Sequence, residues 1–284
     1  MHPIKFFTLF IFTIGITFFW GEPINGTSFV ETINQSYTSE VQYKSPSQND
    51  LETGQKLFYE LFMSSDFKID HKAWSSLGFE VERMASFLIL KEKKEDYKGR
   101  GIYVFNTSKP SSIILEAPHR PSDRYTDSIV MSLMEEGPFL AAAWNTVYRK
   151  TVNFTRAPMS YFNAFTEAFG KAYPTGIVLQ FHGFNSKAHD LKTDLILSAT
   201  LSSPPPLFYV YGNALKQLPF KTSFYPEEVK VLGGTKNINA EKFRSSASDG
   251  LFLHMEMSLN LRKSLSENKD LREMLIKCFE KKAF

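Results

Sequence analysis

The sequence predicts an α/β fold in which helices cover a mostly parallel, mixed β-sheet carrying an antiparallel hairpin at one edge. Three observations predict it. Apolar, β-rich runs alternate with helical stretches, two of those runs end in a histidine, and one neighbouring pair is joined by a charged, glycine-containing turn.

Taken in order, residues 1–20 (MHPIKFFTLFIFTIGITFFW) set a lysine before a long apolar run, the pattern of a signal peptide. The bulky FFW before Gly21 is a poor cleavage context, so an uncleaved N-terminal anchor is the alternative. Both readings place the protein outside the cytoplasm, as a secreted or periplasmic chain, with envelope association a further expectation. Residues 22–52 are rich in Ser, Thr, Asn and Gln and read as a flexible leader. A single domain is expected over 53–284.

Within it, GQKLFYELFMSS is helical, and MASFLILKEK and RGIYVFNTS form the edge hairpin. SSIILEAPH reads as a short buried strand. TDSIVMSLMEEGPFLAAAWNTVYR reads as a helix followed by a strand or a second helix, and NAFTEAFGKAY as a helix. GIVLQFHGF is a second buried strand; SSPPP makes a rigid loop before the helix FYVYGNALKQL. VKVLGGT and LFLHMEMSL are further strand candidates. Strand ends are where ligands bind in open α/β sheets, and His119 and His182 fall there.

Composition narrows the function. With 284 residues and 43% hydrophobic side chains the chain can bury a sizeable core, and a net charge of +3 without a basic stripe disfavours nucleic acid as a partner. The lone Cys278 forms no internal disulfide. The sequons at Asn25, Asn34, Asn106 and Asn153 would matter only in a glycosylating compartment. There is no G-x-S-x-G, Walker-type G-K-[ST] or G-x-G-x-x-G motif.

The chemistry-bearing stretch is LEAPHRPSD, in which His119 and Asp123 share a loop stiffened by Pro118 and Pro121. Imidazole is the commonest ligand of divalent metals, and catalytic zinc sites combine histidines with a carboxylate and keep one position open. His119, Asp123 and His182 are therefore the candidate metal ligands, with Glu116 as the rival carboxylate. Further on, His254 and Glu256 share one face of an apolar strand, where a charged Glu is costly unless functional or paired. Glu256 is the candidate general base; a salt bridge to Arg262 is the alternative. Arg149 and Arg156, in YRKTVNFTRAP, are suited to holding a carboxylate or an oxyanion.

Together, LEAPHRPSD, the arginines of YRKTVNFTR, the QFHG strand and HMEMSLNLR resemble the zinc carboxypeptidase-like hydrolase superfamily over about residues 85–265. Its N-formylglutamate amidohydrolase and aspartoacylase/succinylglutamate desuccinylase branches are the most similar in pattern. The resemblance implies a three-layer, zinc-peptidase-like sandwich. It also implies a Zn²⁺ site of His119, Asp123 and His182, catalytic Glu256 and Arg149, and substrate contacts from Arg156, Asn153 and His254. The implied activity is hydrolysis of an amide bond in an N-acyl amino acid, a peptide or a γ-linked peptide with a free carboxylate. Two departures stand out: H-x-x-x-D replaces H-x-x-E, and Asn153 and Arg156 are not adjacent as in the usual Asn-Arg pair. A non-catalytic binding protein that keeps the fold is the alternative, and a protein with purely structural histidines a third reading.

Overall fold

In a computed structural model of the chain, residues 28–35, 42–108 and 111–280 are described. The expected signal or anchor segment lies outside them. Their central feature is a nine-stranded sheet of order β1-β2-β3-β5-β4-β6-β9-β7-β8. The strands are β1 (Phe79–Met84), β2 (Phe87–Glu92), β3 (Ile102–Asn106), β4 (Ile113–Ala117), β5 (Ala141–Trp144), β6 (Ile177–Gly183), β7 (Leu195–Ser198), β8 (Thr222–Phe224) and β9 (Leu251–Met257). β5, β4, β6 and β9 run parallel in the centre. β1, β2 and β3 form an antiparallel meander on one side, and β7 joins β9 antiparallel on the other.

The helices are α1 (Phe29–Gln35), α2 (Gln48–Met63), α3 (His71–Ser76), α4 (Thr126–Glu136), α5 (Tyr161–Ala172), α6 (Ser186–His189), α7 (Pro206–Leu215), α8 (Ile238–Ser246), α9 (Leu259–Glu267) and α10 (Lys269–Glu280). They divide between the two faces. Side chains of α2, α5 and α8 share one apolar core with the sheet, and those of α4, α7, α9 and α10 share the other. Each core is built by the strand alternation: in β4, Ile113 and Leu115 enter the α4 side while Ile114 enters the α5 side.

Three expectations are corrected. The segment 22–52 is not wholly a leader, because α1 buries Phe29 and Ile33, one helical turn apart, against the core. The helix expected from about residue 54 begins at Gln48, with the Ser47 hydroxyl accepting from the Asp50 amide, so the folded part starts before residue 53. VKVLGGT is not a strand but a turn region: Leu232 and Gly234 have φ of 60° and 62°, and the strand of this region is Thr222–Phe224.

β1 went unread because FEVERM alternates with charges, the signature of a protected sheet edge. The choice left open after α4 resolves as strand: β5 pairs with β3 and β4. Arg149 and Arg156 thus lie between a strand and a helix. Of the sequons, Asn106 has a buried side-chain nitrogen, so a glycan does not fit there.

Candidate metal centre and hydrolytic site

The carboxyl ends of the parallel strands carry the site. His119 follows β4, His182 is the penultimate residue of β6, and His254 and Glu256 lie in β9. The parallel register sets Glu116 beside Gln180, Gln180 beside His254, and His182 beside Glu256. All three pairs face the α5–α8 layer.

The loop after β4 is pinned from several directions. The Asp123 amide donates to the His119 carbonyl (3.0 Å), and Asn145 Nδ2 donates to the Arg120 carbonyl (3.3 Å). Arg120 extends to the Ile33 carbonyl (2.9 Å), which ties α1 to the same loop. Asp123 Oδ2 accepts from the Gly183 amide at 3.0 Å. Gly183 lets Arg262 approach closely: a Cβ at this position would meet its guanidinium carbon at 2.3 Å.

The result is a convergence of three ligand atoms. His119 Nδ1 and His182 Nδ1 are 3.0 Å apart, and Asp123 Oδ2 lies 3.1 Å from the first and 3.6 Å from the second. All three residues are buried, and their ligand atoms lie within 4.8 Å of one another. The far ring nitrogens face acceptors. His119 Nε2 is 2.9 Å from Asn153 Oδ1, which is fixed as an acceptor because the Thr155 amide also donates to it (3.1 Å). His182 Nε2 is 2.7 Å from Gln180 Oε1.

Each imidazole thus keeps its proton on Nε2 and turns the Nδ1 lone pair inward. Two such lone pairs beside a carboxylate oxygen repel unless a cation lies among them, so the donor set fits a divalent metal of the zinc type. Burial, reinforced by His254, pushes the His182 pKa down to about 3, which keeps it neutral as a ligand must be.

Glu116, the rival ligand, is placed elsewhere. It is fully buried below the centre, where its carboxyl oxygens accept from Thr166 Oγ1 (2.5 Å) and Gln180 Nε2 (2.8 Å). Burial, only partly offset by those bonds, raises its pKa to about 7.

Glu256 pairs with His254 (Oε1 to Nε2, 3.3 Å) rather than with Arg262. Burial raises the carboxyl of Glu256, but the His254 bond outweighs this and lowers its pKa. The other His254 nitrogen, Nδ1, is buried without a partner, beside Gly234.

A cavity of about 220 Å³ opens over these groups, with His119, His182, His254 and Glu256 on its floor and Arg149, Asn153 and Arg156 on its wall. Arg149 reaches Asp123 Oδ1 at 3.3 Å with its side chain 42% exposed. Arg156 is exposed and makes no side-chain ion pair among the described residues, which leaves its guanidinium open to an anion. A larger cavity of about 620 Å³ lies on the far side of Gly183, around Asn185, Asp194 and Arg262, and contains none of the three ligands.

No family model and no curated protein matches the chain. Several solved structures are similar to the chain. The chain is similar to N-formylglutamate amidohydrolase from Ralstonia eutropha JMP134, at 14% identity and a TM-score of 0.45, with 64% of this chain and 97% of that one covered. It is also similar to zinc-free YndL, at 14% identity and a TM-score of 0.43, covering 72% and 94%. A third likeness is to a bacteriophage poly-γ-glutamate hydrolase, at 11% identity and a TM-score of 0.40, covering 70% and 91%.

Sequence reasoning did not find Gln180, Asn237 or Asn239, which lie beneath the centre. The one available signal was a glutamine inside the apolar run GIVLQFHGF, where an amide side chain demands partners.

Proposed function

We propose that this protein is an extracytoplasmic, zinc-dependent amide hydrolase acting on a small substrate that carries a free carboxylate. The observation that carries the reading is the convergence of His119 Nδ1, His182 Nδ1 and Asp123 Oδ2 beside a cavity lined by both histidines and by Glu256. These three residues would hold the metal, which when bound supplies a Lewis acid and lowers the pKa of water.

Glu256 is kept as a carboxylate by His254, so it can take a proton from the attacking water at the cavity floor. The hydroxyl oxygen then bonds to the amide carbon, the C–N bond breaks, and the proton held on Glu256 passes to the leaving nitrogen. Arg149, directed inward by Asp123, suits the stabilisation of charge developing on the carbonyl oxygen. Arg156, exposed on the wall, suits the substrate carboxylate. Asn153 directs its oxygen to His119, so orienting that ligand is its main role and leaves Nδ2 for a substrate contact. His254 has only Nδ1 left for a ligand. The 220 Å³ volume limits the enclosed part of the substrate to about one amino-acid residue.

The test is turnover of a panel of N-acyl amino acids and γ-linked dipeptides by the zinc-loaded chain and by E256Q. Cleavage by the parent, abolished in E256Q while zinc stays bound, is the expected result. Equal turnover by both would remove Glu256 from the chemistry, and no cleavage of any member would leave a binding protein.

A further inference from the structure

We propose that Gln180 is a positioning residue whose orientation, fixed by two chains of side-chain amides, decides which nitrogen of His182 faces the metal; this rests on the metal reading above. Hydrogen-bond polarity is set at both chains' outer ends by backbone groups whose role has no alternative.

The first chain starts at two backbone carbonyls, which can only accept. Asn163 Nδ2 lies 2.5 Å from the Ala157 carbonyl and 3.1 Å from that of Pro158, so it is the amide nitrogen and Asn163 Oδ1 points away as an acceptor. Asn239 Nδ2 donates to that oxygen at 2.5 Å, which turns Asn239 Oδ1 toward Gln180. Gln180 Nε2 donates to Asn239 Oδ1 at 3.0 Å and to Glu116 Oε2 at 2.8 Å.

The second chain starts at the N-terminus of α8, whose backbone amides can only donate. Asn237 Oδ1 accepts from the amides of Asn239 (3.0 Å) and Ala240 (3.4 Å), so Asn237 Nδ2 is the nitrogen, and it donates to Gln180 Oε1 at 2.5 Å.

Both chains require the same orientation of Gln180. Its oxygen then faces His182 Nε2 at 2.7 Å, which must carry the hydrogen, and the lone pair is left on Nδ1. Every polar atom of the Gln180 amide has a partner, and the residues of both chains other than Asn163 Nδ2's carbonyl partners sit buried between β6, α5 and α8. A flipped amide would set nitrogen against Asn237 Nδ2 and oxygen against both Asn239 Oδ1 and Glu116 Oε2, so the arrangement does not depend on the metal.

The experiment has two arms on the full chain. In metal-free wild type, nitrogen-15 NMR of labelled histidines, assigned with H182A, should show His182 with a hydrogen-bonded Nε2 proton. In the near-isosteric variant Q180M that preference should weaken, and the dissociation constant for Zn²⁺, measured against a competing chelator, should rise about 10- to 100-fold. A folded Q180M that binds Zn²⁺ as tightly as the parent, or a wild-type His182 protonated on Nδ1, overturns the proposal. If Q180M fails to fold, the wild-type tautomer still decides. A wild type that binds no Zn²⁺ contradicts the metal reading alone, and the tautomer measurement then tests this inference by itself.

Discussion

The two faces of the central strands differ in how far their apolar character runs. On the α4 side, β6 contributes Ile177, Leu179 and Phe181, and β9 contributes Leu251, Leu253, Met255 and Met257, apolar from end to end. On the α5 side the same strands start apolar, with Ile114, Val178 and Phe252, and then turn polar as Glu116, Gln180 with His182, and His254 with Glu256. One backbone therefore serves a packed core on one face and a buried polar network on the other. Such a network is stable only if its members are paired, and Gln180 shows that pairing in full.

The contrast can be broken at several points. The largest expected effect is in E256Q, where kcat should fall about 10²- to 10⁴-fold with metal retained, because a general base is lost and nothing that folds the sheet is touched. Steady-state kinetics with metal analysis checks this, and a fall of under tenfold would contradict it. On the opposite face, Leu253→Ala should lower stability by about 2 to 5 kcal/mol in urea unfolding while leaving zinc affinity within a factor of a few, since it leaves a cavity in the all-apolar core.

Glu116 separates the faces by pH. Its folded pKa of about 7 stands above the ordinary 4.5, so the folded protein holds the proton that the unfolded chain releases. Stability from this group is present in full below about pH 4.5 and falls as pH rises to about 7; at 1.4 kcal/mol per unit the whole loss is about 3.5 kcal/mol. In E116Q the amide can donate to Thr166 and accept from Gln180, so its advantage over the parent should grow from pH 5 to pH 8 by about 2.5 kcal/mol. Parallel unfolding curves at the two pH values would contradict the buried, neutral acid. The smallest effect is expected in Arg156→Ala, where KM for a carboxylate-bearing substrate should rise about tenfold with kcat little changed.

Much of this was legible in the sequence, and the divide follows physical range. His119, His182 and Glu256 were readable because each is a costly side chain at the end of, or inside, an apolar strand, and Asp123 because it shares the proline-stiffened loop of His119. Most strands were readable from their apolar runs; β1 was masked by its edge charges, β8 is only three residues long, β7 was not singled out, and β5 stayed open between strand and helix. α1 was hidden because two buried residues, Phe29 and Ile33, sit in a polar stretch. The support beneath the site was not legible. Asn163, Asn237 and Asn239 look like ordinary caps and turn residues, and only the packing of α5 and α8 on β6 brings them to Gln180.

Metal content tests the centre most directly: zinc per chain in the purified protein lacking residues 1–21, beside His119→Ala and His182→Ala. About one zinc per chain in the parent, lost in both variants while each remains folded, is the result expected of a shared site. A parent that takes up no metal on reconstitution would contradict it, and LEAPHRPSD would then be a proline-stiffened strand exit with a structural histidine.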